Sequence, residues 1–246
     1  MSWLRRLFGG GGEKLPQAHP APPTPGGHHE RLSAWLAQRD RRDEDQLKPL
    51  LLDIAAACDA AEEAGVVSLE AAQILKAGLS HRSRLIWGNT VDMLYSLEGF
   101  APAVSALYAE LAGSPSATAR FAAICCLSTR TPEPLVDVML AGGLTDRSSE
   151  VRWKSGQVAL NMNRQGLVPT MTKALADEKS EKARSSLEMS LALLRDGYQL
   201  RMNDDDWNLL TVPMRDGGIS SLGVSQADLD RRGVLALAHD LRNGLL

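Results

Sequence analysis

Leu50, Leu51, Ile54, Ala57, Cys58 and Ala61 fall on one stripe at a period near 3.6 residues, the spacing of an amphipathic helix. The same period predicts helices through most of the chain. Glu30 to Gln38 is a short one, with Leu32, Trp35 and Leu36 on one face. Asp45 caps a longer helix to about Ala64, with Pro49 in its first turn, and Gly65 ends it. Ser68 caps the next, which Gly78 stops. Arg84 to Leu97 is one long helix. Three pairs follow: Ala103 to Leu111 with Ala117 to Leu127, Pro134 to Leu140 with Ser149 to Met162, and Val168 to Ala176 with Ser180 to Leu194. The pattern lapses from Gln199 to Val224, which is read as a loop, and a last helix runs from Gln226 to Arg242.

A second period overlies the first. Arg120, Arg152 and Arg184 each open a similar helical stretch and stand 32 residues apart, with a weaker copy at Arg84. A fixed period of this length is the mark of a solenoid, in which helix pairs bury their apolar faces by stacking. The stretch Asp146, Val151-Arg152 matches the HEAT repeat best, and Asp177, Ala183-Arg184 matches in part. Ala119-Arg120 keeps the arginine over a turn of Ser114-Pro115-Ser116. Over about Ser80 to Tyr198 the chain thus resembles HEAT-repeat proteins, in particular the short bacterial repeats named after phycobilisome lyases. The resemblance implies an all-α, right-handed solenoid of stacked antiparallel helix pairs. It also implies a structural ladder of Arg84, Arg120, Asp146, Arg152, Asp177 and Arg184. It is nearly silent on activity, because the family includes lyases, glycosylases, transport factors and scaffolds.

The expected organisation has five parts. Residues 1–8 form a short amphipathic segment and 9–29 a Gly/Pro-rich linker, together a disordered arm. Residues 30–80 are an N-terminal helical region, 81–198 the repeats, and 199–246 a loop with a capping helix. On a helix Trp3, Leu4, Leu7 and Phe8 share one face with Arg5 and Arg6 turned away, the composition of an anchor for a membrane surface or a partner.

Composition narrows the chemistry. Apolar residues are 44% of the 246, enough for a sizeable core, and the net charge is −3, which argues against broad nucleic-acid binding. Cys58, Cys125 and Cys126 make neither a disulfide framework nor a zinc site, so the expected compartment is the cytoplasm, with peripheral contact at the inner membrane surface through the arm. His28-His29-Glu30 resembles a metal cluster only superficially, and Asp204-Asp205-Asp206 lacks the alternating ligands of a calcium loop. The His-Glu pairs of the iron-binding hydroxylases in the family are absent from the repeats, as are a nucleophile elbow and a phosphate loop. No catalytic residue, metal or cofactor is expected.

Surface remains. Setting the repeats in register on their arginines places Leu85, Phe121 and Trp153 on one row, with Asn89, Gln157 and Asn161 edging it. On the concave side of a solenoid this row would form an apolar groove for a protein or peptide. The expected function is a non-enzymatic binding scaffold or adaptor. The alternatives are a nucleic-acid-binding or base-repair protein using the arginines and, third, a tetrapyrrole lyase or chaperone. Nothing in the pattern fixes an oligomeric state.

Overall fold

A computed structural model describes residues 27–38, 42–97, 101–202, 207–214 and 218–246. The chain is mostly helical and divides into two compact units, 1–126 and 127–246.

The first unit holds α1 (His28–Ala37), α2 (Lys48–Ala64), α3 (Leu69–Ser80), α4 (Arg84–Leu94), α5 (Ala101–Ala112) and α6 (Ala117–Cys125). Its centre is the stripe legible in the sequence: Leu51, Ile54, Ala55 and Cys58 of α2 are fully buried with Leu75, Leu79, Ile86, Val91 and Leu94. Asp45 does not cap α2. A 3-10 turn, Arg42–Leu47, precedes it, and Asp45 pairs with Lys48 at 2.5 Å. Gly65 does end α2, at φ +66, the left-handed conformation that glycine adopts without strain. Gly78 is not a stop. The helix runs on to Ser80, and a Cβ at Gly78 would stand 2.5 Å from Thr90 Oγ1 and 2.8 Å from Ile54 Cδ1. The missing side chain lets α3 approach α2 and α4 closely.

The second unit holds α7 (Glu133–Leu144), α8 (Ser149–Asn161), α9 (Val168–Asp177) and α10 (Glu181–Arg195), then β1 (Gln199–Arg201), β2 (Trp207–Pro213), β3 (Ile219–Ser225), α11 (Gln226–Arg232) and α12 (Val234–Arg242). Helix α8 packs on α7 and α10, and α10 on α9. Val158 and Leu191 are buried there as their inward positions require.

The expected loop from Gln199 to Val224 is instead a three-stranded antiparallel sheet in the order β1-β2-β3. Alternation over seven residues sends Asn208, Leu210 and Val212 inward and Trp207 and Leu209 outward. Leu210, Val212 and Val224 meet Leu237, Ala238 and Leu241 of α12 in a small core of their own. The expected single C-terminal helix breaks at Gly233, φ +77; α12 buries Leu237, Ala238 and Leu241 against the sheet, while α11 has no buried residue and sets only half-buried Leu229 against that core.

These contacts set a contrast between two glycines. Gly78→Ala should cost about 2 kcal/mol, because buried Thr90 and Ile54 must give way. Gly142→Ala, in α7 with open space around it, should be neutral or stabilise by about 0.5 kcal/mol. Urea unfolding of the full chain checks both; equal effects at the two positions would contradict the close approach at Gly78.

Candidate functional site

The arginine row has a clear geometry. Arg120 Nη1 donates to the carbonyls of Ser114 (2.8 Å) and Pro115 (3.0 Å). Arg152 Nη1 donates to the carbonyl of Asp146 at 2.6 Å, and Arg184 Nη2 to that of Glu178. Ser114, Asp146 and Glu178 each lie six residues before their arginine. Each also turns its own side chain onto a backbone N–H two residues on: Ser116 at 3.2 Å, Ser148 at 2.7 Å and Ser180 at 2.8 Å. Ser116 and Ser180 then cap α6 and α10 through the N–H of Ala119 and Ala183. The repeat is therefore a turn whose first residue is tied twice, by its side chain forwards and by its carbonyl to the arginine.

This geometry corrects the expected ladder at one position. The carboxylate that Arg152 meets is that of Glu178, not Asp177, in a two-bond fork at 2.7 and 2.6 Å. Glu178 is buried, its residue 1% exposed. The Arg152 hydrogen bond holds the Glu178 carboxyl below the usual range against the opposing effect of burial, and the Ser180 N–H helps. The same bond raises the Arg152 pKa further. Arg84 begins a more degenerate copy, where the Ser83 N–H donates to His81 Nδ1 at 3.0 Å.

The expected groove is not an open surface. Trp153 and Phe121 are only 8% and 9% exposed. Phe121 meets Trp87 edge to face, centroids 5.5 Å apart, and the Lys182 ammonium lies 5.8 Å from the centre of the Trp153 ring. Leu85 and Gln157 are half-buried and Asn161 is exposed. Asn89 spends its amide on the Leu85 carbonyl of its own helix, at 2.6 Å. The position after each arginine thus faces packing in the first three copies, and the aromatics there are core.

Apolar surface lies elsewhere. On the face of the sheet turned from α12, Trp207 is 58%, Ile219 45% and Leu209 38% exposed. The register sets Trp207 beside Ser225, Leu209 beside Gly223 and Pro213 beside Ile219. The Trp207 ring leans over β3, where a Cβ on Gly223 would be 3.6 Å from its Cε3. Thr211 and Ser221 link hydroxyls on the same face at 3.0 Å. Sequence reasoning missed this patch, although its signal, the alternation of Trp207, Leu209 and Thr211 with Asn208, Leu210 and Val212, is present. In the same unit a 530 Å³ concavity is lined by Asn161, Asn163, Arg195, Met214 and Arg242, the last donating to the Gly197 carbonyl at 2.6 Å.

His28, Asp59 and Glu62 also come together. The Asp59 carboxylate accepts the N–H groups of His28 (2.5 Å) and His29 (2.9 Å), so it caps α1 from α2. His28 and His29 therefore belong to a helix, not to the linker. Arg31 Nη2 lies 3.3 Å from His28 Nδ1, and His28 Nε2 lies 3.1 Å from Glu62 Oε1 and 2.8 Å from Ser96 Oγ. These contacts tie α1 to α2. Cys58, Cys125 and Cys126 are buried; burial, then Asp59 and Glu62, pushes the Cys58 thiol up to about 12.

The anchor residues Trp3, Leu4, Arg5, Arg6, Leu7 and Phe8, and the acidic run at 203–206, lie outside the described residues. Among the described residues no helix is long and apolar enough to cross a membrane. Comparison with protein-family models, with curated proteins and with solved structures returned no match.

The Arg152–Glu178 fork carries a pH signature. Its carboxyl pKa is lowered on folding, so its contribution is present at neutral pH and lost as the pH falls through the lowered folded value. Glu178→Gln should destabilise the chain at pH 7. The gap from wild type should shrink below about pH 4. A gap that stays constant in chemical unfolding from pH 7 to 3 contradicts the assignment.

Proposed function

We propose that this chain is a non-enzymatic protein-binding scaffold or adaptor, built on a HEAT-like right-handed solenoid and held by its N-terminal arm near a membrane surface or larger assembly. The solenoid reading is supported by the turn that recurs at Ser114, Asp146 and Glu178 with one arginine each. The binding surface in this reading is the outer face of the C-terminal sheet. The observation that carries it is the exposure of Trp207 and Leu209, two residues apart on one face, with exposed Ile219 at the far end of the same face. A tryptophan beside Leu209, with exposed Ser221 next along the face, is the composition of a binding hot spot. The row Leu85, Phe121 and Trp153 does not serve, since two of its three members are buried.

The nucleic-acid alternative loses its ligands in this account. Arg120, Arg152 and Arg184 have guanidinium groups engaged with turn carbonyls, and Arg152 also with Glu178. A phosphate would have to displace those bonds.

The test is quantitative capture from a lysate of the source cells by immobilised full chain, wild type against Trp207→Ser with Leu209→Ser. Both residues are exposed, so helical content and melting should stay unchanged. The account predicts loss of the specific prey by about tenfold or more. An unchanged prey profile rejects the sheet face as the binding surface.

A further inference from the structure

The two edges of the C-terminal sheet are unlike. The β1 edge has three residues and ends on exposed Arg201, and α10 packs beside it. Short length and charge are the usual guards of a sheet edge. The β3 edge, Ile219-Ser220-Ser221-Leu222-Gly223-Val224-Ser225, is seven residues long, with no charge and no proline. On its far side no described strand pairs with it. In antiparallel sheets alternate N–H and C=O groups of an edge strand point outward and need a partner or water.

We propose that β3 pairs with β3 of a second copy of this chain, antiparallel about a two-fold axis at Leu222, so that two three-stranded sheets join into one of six. The strand is its own complement in three respects. An axis at Leu222 sets Ile219 opposite Ser225 of the second copy, and Ser221 opposite its Gly223. Residues of equal parity then face each other, so the side covered by α12 stays one face across the seam and the Trp207 side stays the other. A two-fold axis also brings like groups together, which penalises charged strands, and β3 carries none. Small residues at 221, 223 and 225 keep the seam open on the face where the Trp207 ring leans over β3. The helix that begins at Gln226, capped by Ser225, bounds the pairing to the seven residues.

A heterologous extended peptide could use the same edge, but nothing on the strand selects a side chain at alternate positions, whereas a second copy needs no selection. This inference concerns the strand edge and stands apart from the sheet-face reading, since the lysate experiment changes Trp207 and Leu209 of β2.

The mass of the purified full chain by light scattering tests it. The wild type should run at twice the 26.6 kDa of one chain. Ile219→Lys with Gly223→Lys should return it to a single chain's mass with unchanged helical content, its melting lowered only by the lost pairing. Val138→Lys, which adds a lysine at an exposed site on α7, should keep the doubled mass. Cysteine scanning reads the axis independently, and the native thiols are buried. Leu222→Cys, opposite itself, should oxidise to a disulfide-linked pair, and Ser220→Cys, opposite Val224, should not. A wild type at single-chain mass up to about 100 μM overturns the proposal. A doubled mass that survives the lysines, or cross-linking equal at 220 and 222, overturns it as well.

Discussion

The hydrogen bond from a guanidinium to the carbonyl six residues upstream is what the repeating part of this chain depends on. A turn between antiparallel helices leaves carbonyls of one helix end and N–H groups of the next without helical partners. Here one residue resolves both needs. Ser114, Asp146 and Glu178 accept forward N–H groups with their side chains, and the arginines take their carbonyls. Because the arginine sits on the second helix, the bond also fixes how that helix leaves the turn. At Arg152 the guanidinium reaches further, to Glu178 of the next turn, and couples consecutive repeats. The chain can vary the turn residue from Ser to Asp to Glu because the carbonyl, common to all three, is what the arginine requires.

That constraint decides what is left for function. The repeat arginines bond turn carbonyls, and the aromatics that follow two of them are buried in the packing. Exposed apolar side chains include Trp207, Leu209 and Ile219, which share one face of the sheet. The sheet exists because α12 covers only its other side, and α12 is free to do so because Gly233 breaks the helix after Arg232.

The helices were legible because their apolar stripes are long: α2 shows six matching positions over twelve residues. The arginine period was legible because it is strict. The partner of Arg152 was misplaced by one residue, since Asp177 and Glu178 are adjacent carboxylates and only the turn conformation distinguishes them. The sheet was missed because three to seven residues give strand alternation little length to register, and a lapse in helical period reads as a loop. The row at Phe121 and Trp153 was placed on the wrong side because a period tells which positions are equivalent. It does not tell which of two apolar rows meets a neighbouring helix.

The most direct measurement is a double-mutant cycle on Arg152→Ala and Glu178→Ala, read by urea unfolding of the full chain at pH 7. A fork at 2.6 and 2.7 Å with a buried carboxylate should give a coupling energy of at least about 1 kcal/mol. The single change at Arg152 should be the costlier, because it also releases the Asp146 carbonyl. Additive single effects, with coupling near zero, would contradict the claim that the arginine ties consecutive turns together.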